Sequence, residues 1–217
     1  MRCHNTTGHT PWPPPKAATH VFLHVPKTGG GSAEAFFDCC PRVHVAFALH
    51  HLNLQRVAAT GRTPVFALRD PADRAVSEYQ WGAHDRGKDY DDGHRRSHIR
   101  ANDTAPPRLW GIDDLEPLLA HARRHLKPQA FYLDSHPYLT SANSVVLCTE
   151  RLRAGLEALA ERVQCSTPPA AATPWLHRTS ANRAARNDMT AELRDALYRA
   201  FAPDVALHRA RCGERAR

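Results

Sequence analysis

Residues 20–38 read HVFLHVPKTGGGSAEAFFD, and the order of side chains in this stretch decides the fold. Val21, Phe22, Leu23 and Val25 form a short apolar run of β-formers that stops at Pro26, the pattern of a buried strand. Ser32 can then cap a helix carrying Ala33, Ala35, Phe36 and Phe37, with Glu34 in the first turn, where the helix dipole favours a carboxylate. Between strand and helix, Gly29, Gly30 and Gly31 lack a Cβ, so the backbone can bend tightly and turn several N–H groups toward one point. A helix N-terminus behind such a loop is an anion site, most often for phosphate.

The place of the lysine discriminates among phosphate loops. A Walker A loop puts lysine after the glycines, whereas Lys27 precedes them in PKTGGGS. PKTGG followed by a small residue and serine resembles the 5′-phosphosulfate loop of sulfotransferases that use 3′-phosphoadenosine 5′-phosphosulfate (PAPS). HVPKTGG in particular is similar to the Golgi carbohydrate O-sulfotransferases acting on heparan and chondroitin. Those usually have threonine where this chain has Gly31, so one hydroxyl donor is missing and the backbone N–H remains.

Downstream, Pro64 to Leu68 read as a strand ending at Arg69-Asp70-Pro71, and DPADRAVSEYQW as a helix with Asp70 as cap and Pro71 at its first position. The stretch R-D-P-x-x-R-x-x-S-E-Y resembles the 3′-phosphate site of the same family. That resemblance gives Arg69 and Ser77 the cofactor's 3′-phosphate, a task suited to a planar guanidinium that makes bidentate contacts.

At 217 residues the chain is long enough for one α/β domain with a proper core. The resemblance implies a single domain over 20–211 with a central, mainly parallel sheet flanked by helices, in the nucleotide-kinase-like P-loop sulfotransferase fold. Residues 1–19, with Pro11, Pro13, Pro14 and Pro15, read as a disordered leader, and 212–217 as a tail. The net charge of +7 favours acidic ligands. No helix-turn-helix, zinc-finger or RNP pattern accompanies it, so nucleic acid is not an expected partner. Six cysteines without a C-x-x-C pair disfavour a metal site and suit disulfides of a secretory lumen, with the pairing open. Two sequons, at Asn5 and Asn102, agree with that compartment. No apolar run has transmembrane length. The family's Golgi setting is therefore expected by resemblance alone, and a soluble cytoplasmic protein is the alternative.

Further strands are expected over Val43 to Leu49 and Ser144 to Cys148, and helices from Asp113 or Asp114, over Leu152 to Val163, over Thr190 to Phe201 and from Pro203 to about Arg211. QAFYL at 129–133 and the tail R-x-x-L-Y-x-x-F-x-x-D, ending at Asp204, also resemble pieces of the family. Residues 82–112 are a polar insertion. It is either an acceptor lid, with Arg95 and Arg96 facing an acidic glycan, or a solvated surface loop.

The reaction implied is in-line transfer of a sulfonyl group from PAPS to a carbohydrate hydroxyl, without metal. Lys27 stabilises the leaving phosphate, and the N–H groups of Thr28, Gly29, Gly30, Gly31 and Ser32 hold the 5′-phosphate and sulfonate. A histidine takes the acceptor proton. His50 and His51 follow the second strand, where ligands collect in open α/β sheets. The family pattern favours His51 and leaves His50 open. Two other classes compete: a P-loop kinase-like phosphotransferase, which lacks its Walker lysine here, and a non-catalytic basic glycan-binding module.

Overall fold

The computed structural model describes residues 14–37, 40–47, 57, 59–84, 110–125, 127–134, 144–165 and 189–213. The chain divides into two compact units, one of Met1–Asp70, Pro128–His177 and Pro203–Arg217, the other of Pro71–Lys127 and Arg178–Ala202.

The first unit is built on four parallel strands: β1 (His20–His24), β2 (Val43–Phe47), β3 (Thr63–Leu68) and β4 (Val145–Cys148), in the order β2-β1-β3-β4. Its helices are α1 (Gly30–Phe37), α4 (Gln129–Asp134), α5 (Leu152–Arg162) and, from Pro203 on, α7 (Ala202–Cys212). Successive strand residues point to opposite faces. Phe22, Val65, Ala67 and Leu147 pack with Phe36 and Phe37 of α1 and Leu152, Leu156 and Leu159 of α5. Val21, Leu23, Phe66 and Leu68 pack with Tyr132 of α4 and, at the edge, Leu207 of α7. Both faces are thus covered, which is why these strands are apolar runs rather than alternating ones.

The disulfides Cys40–Cys165 and Cys148–Cys212 belong to this unit; the second joins the end of β4 to the end of α7. Of the leader expected over 1–19, residues 14–19 are described. The Arg62 guanidinium holds them by donating to the carbonyls of Pro14, Pro15 and Ala18, at 2.8 Å for Ala18. Residues 1–13 lie outside the described residues.

In the second unit, α2 (Pro71–His84), α3 (Leu115–His125) and α6 (Ala191–Ala200) enclose a core of Ala72, Ala75, Val76, Leu118, Leu119, Leu193 and Leu197. Thr190 caps α6 by accepting the Leu193 N–H. Both ends of the insertion expected at 82–112 are structured: α2 runs to His84, and Trp110 belongs to the core, edge-on to Tyr79 at 5.4 Å. The composition of 82–112 hid this, because one indole among many charges carries the burial. A 3₁₀ turn, Ile112–Asp114, precedes α3, and the Asp114 carboxylate accepts the Gly111 N–H at 3.0 Å.

Among the described residues no helix is long and apolar enough to cross a membrane.

Candidate functional site

Strand order makes the geometry of the site. From β1 the chain moves to β2 on one side and then returns past β1 to β3 on the other, so the topological switch point falls between β1 and β3. In open parallel sheets ligands bind outside the carboxyl ends of the strands at such a point. The residues leaving β1 there are Val25 to Gly29, and those leaving β3 are Arg69 and Asp70.

The glycine loop is shorter than its sequence suggests. Helix α1 starts at Gly30, two residues before the expected cap, because the Gly29 carbonyl already accepts the Ser32 and Ala33 N–H groups, each at 3.1 Å. Ser32 is consequently the third helical residue, not the cap, and Glu34 lies beyond the first turn. Glu34 instead holds the His24 imidazole, with Oε1 2.5 Å from Nδ1. The imidazole lies over Gly30 so closely that a Cβ there would sit 2.0 Å from its Cδ2. Gly29 has φ +85°, and a Cβ on it would meet Leu152 Cδ2 at 2.6 Å. Lys27 also occupies the left-handed region, with φ 64°, where a side chain costs energy.

Of the five N–H groups expected to hold the anion, Thr28 and Ser32 donate inside the loop, Thr28 to the Val25 carbonyl at 3.4 Å. The Thr28 hydroxyl does likewise at 2.9 Å and is fully buried, so that side chain braces the loop. Helix geometry leaves the N–H groups of Gly29, Gly30 and Gly31 without an intrahelical acceptor.

Arg69 is brought to this loop. Its Nη1 donates to the Lys27 carbonyl at 3.2 Å, bridging the switch point. The backbone of Arg69 is clamped as well: its N–H donates to Gln129 Oε1 at 2.9 Å, and its carbonyl accepts from Gln129 Nε2 at 2.8 Å. Gln129 is held in turn by Asp204, whose carboxylate accepts the N–H groups of Gln129 and Ala130 at 2.8 and 2.9 Å. The Thr149 hydroxyl lies 2.7 Å from the Leu68 carbonyl and 3.0 Å from that of Thr28, so its one proton joins the end of β3 to the loop after β1. Glu150 Oε1 accepts the Asp70 N–H at 3.1 Å, and its Oε2 faces His208. Burial pushes the Glu150 carboxyl up, but the imidazole of His208 and the N–H groups of Glu150 and Asp70 outweigh it and bring the pKa down to about 2.

Gln129, Asp204, Thr149, Glu150 and His208 were not legible as site residues. Two signals pointed toward them: QAFYL and the tail ending at Asp204 stood out without a role, and Thr149 and Glu150 follow a strand end. Ser77 is buried on α2, in the second unit. There Asp73 pairs with Arg194 at 3.6 Å, and Arg74 donates to the Lys127 carbonyl at 3.0 Å. His50, His51, Arg95 and Arg96 lie outside the described residues. Compared with family models, with curated proteins and with solved structures, the chain matches none.

Proposed function

We propose that this chain is a PAPS-dependent O-sulfotransferase acting on a carbohydrate hydroxyl, in the P-loop sulfotransferase fold. The observation that supports it is the bridge between Arg69 Nη1 and the Lys27 carbonyl across the switch point, which brings two cationic residues and a glycine-rich helix start together at the carboxyl ends of β1 and β3. A nucleotide with phosphates at both ends needs such a pair of cationic loops.

In this reading Lys27 stabilises negative charge on the leaving 5′-phosphate, and the N–H groups of Gly29, Gly30 and Gly31 bind its oxygens. Arg69 supplies the cation for the 3′-phosphate, and His51 or His50 takes the acceptor proton as the oxygen attacks sulfur. Sulfonyl transfer then leaves adenosine 3′,5′-bisphosphate and a sulfate ester. The net charge of +7 suits an acidic glycan as acceptor, and the two disulfides suit an oxidising lumen such as the Golgi.

The test is incubation with radiolabelled PAPS and a panel of sulfated and unsulfated polysaccharides, alongside thermal shifts with adenosine 3′,5′-bisphosphate and with ATP and magnesium. Label in a polysaccharide, and stabilisation by the bisphosphate alone, are expected. Equal stabilisation by ATP would favour a kinase-like phosphotransferase. Glycan binding without transfer would favour the binding module.

A further inference from the structure

On the α4 and α7 side of the first unit, Glu150, His208 and Cys212 bring three metal-ligating atoms within 4.8 Å of one another. Cys212 is bonded to Cys148, so a fourth ligating atom is held at the same place, but in the disulfide both sulfurs are spent on each other. His208 is 6% exposed, and its Nε2 is buried and makes no hydrogen bond. That atom lies 3.3 Å from Glu150 Oε2, off hydrogen-bond geometry. That nitrogen still meets the Glu150 carboxylate through charge, the interaction that helps to bring the Glu150 pKa down, but without a well-directed hydrogen bond.

We propose that this cluster is a redox-gated zinc site: closed while Cys148 and Cys212 are joined, and open to Zn²⁺ once a dithiol reductant has separated them. The reductant gives two electrons and two protons, becomes a disulfide itself and leaves two thiols. Zn²⁺ then displaces both thiol protons and takes Cys148 Sγ, Cys212 Sγ, His208 Nε2 and Glu150 Oε2. Thiolate and imidazole ligands favour zinc over the hard cations.

The spacing fits the metal. Bonds of about 2.0–2.1 Å to nitrogen and oxygen at a tetrahedral angle put those two atoms about 3.3 Å apart, the separation found between His208 Nε2 and Glu150 Oε2. Glu150 also has the outer support that ligating carboxylates need, because Oε1 is held by the Asp70 N–H at 3.1 Å and Oε2 is the oxygen turned to the imidazole. Disulfide and zinc are thus alternative staples between the end of β4 and the end of α7. The chain can close this joint in an oxidising or a reducing compartment.

The inference does not depend on the transfer reaction, and its test needs no substrate. The full chain is reduced with a phosphine, desalted anaerobically and titrated with Co²⁺, whose tetrahedral thiolate complexes absorb in the near ultraviolet and the red. One Co²⁺ per chain with both absorptions is expected for the reduced protein and none for the oxidised one, and Zn²⁺ should bleach the spectrum. Cys212→Ser, His208→Asn and Glu150→Gln should each weaken binding by about 100-fold or more, while Cys40→Ser leaves it unchanged. Zn²⁺ should also restore the Tm lost on reduction. A colourless reduced protein, or a Co²⁺ spectrum indifferent to Cys212→Ser and His208→Asn, would overturn the assignment.

Discussion

Gln129 and Arg69 pair as two strands would, side-chain amide against backbone amide: Oε1 takes the Arg69 N–H at 2.9 Å and Nε2 gives to its carbonyl at 2.8 Å. Strand β3 ends one residue earlier, at Leu68, so the ladder has nothing more to offer Arg69. A buried side chain, 1% exposed, completes it. Gln129→Leu removes both bonds from a buried stretch of backbone, and each lost partner costs about 1–3 kcal/mol. A fall in Tm is expected, and with it a loss of affinity for adenosine 3′,5′-bisphosphate, because the backbone that carries the guanidinium loses its anchor. Isothermal titration on Gln129→Leu and Gln129→Glu checks this. If affinity is unchanged in both, the clamp has no bearing on the ligand.

The contact between His24 and Gly30 gives a coupled pair. Gly30→Ala would drive a methyl into the imidazole, where the nearest ring atoms stand 2.0, 2.1 and 2.4 Å from the Cβ position. The ring cannot swing away freely, since Glu34 holds its Nδ1. Destabilisation of about 1–3 kcal/mol is expected for Gly30→Ala alone, in line with overpacking elsewhere. Adding His24→Ala should recover most of it. Urea unfolding of the two single variants and the double variant measures the coupling, and simple additivity would mean the ring is not the obstacle.

The sheet and its helices were readable from residues because each apolar run had one length and one bounding signal, such as Val21 to Val25 closed by Pro26. Arg69 stood out only through the resemblance of R-D-P-x-x-R-x-x-S-E-Y to a 3′-phosphate site, since an arginine before Asp-Pro can equally be an ion pair at a helix start. The clamp around it was not: Gln129 and Asp204 are 75 residues apart, and nothing local in QAFYL or PDVAL says that one N-terminus will meet one carboxylate. Helix α1 begins three residues before the start that Ser32 as cap would set, for a local reason. Ser32 is a good cap by propensity, but the Gly29 carbonyl already takes the first helical hydrogen bonds, and glycine at 30 leaves room for the His24 imidazole.

Acid should unfold the first unit in two stages. Burial lowers the pKa of His20 and of His44 below 6.5, helped by Arg162 beside the first and Arg62 beside the second. Both stay neutral in the fold while the unfolded chain takes up protons below about 6.5, so their contribution is complete above that pH and is lost as pH falls beneath it. Glu150 acts lower: with its carboxyl at about 2 in the fold against 4.5 unfolded, its contribution is present above 4.5 and disappears as pH falls toward 2. Tm measured from pH 8 to pH 3 should bend down near 6.5 and again near 4.5. His44→Gln should flatten the first bend and spare the second, and Glu150→Gln the reverse. A single bend unaffected by either change would place the acid sensitivity in other groups.

Lys27 separates stability from activity. With φ at 64° it holds a conformation that suits glycine, at a cost of about 1–2 kcal/mol for a residue with a Cβ. A loop selected only for folding would carry glycine there. Strain at a residue with a proposed chemical role is a motive for two substitutions read side by side. Lys27→Gly relieves the strain but widens the unfolded ensemble, so the net change in stability should be small and favourable, of order 0.5 kcal/mol. Lys27→Ala keeps the strain and should not stabilise. Both remove the ammonium, and both should lower the rate of sulfonyl transfer together, by about 10²-fold or more, with little change in bisphosphate binding if the charge acts mainly in the transition state. Chemical unfolding and initial rates with labelled PAPS measure the two quantities on the same preparations. Should Lys27→Gly prove less stable than Lys27→Ala, the backbone is not strained as described. Should either variant keep its turnover, the leaving group is stabilised by something other than Lys27.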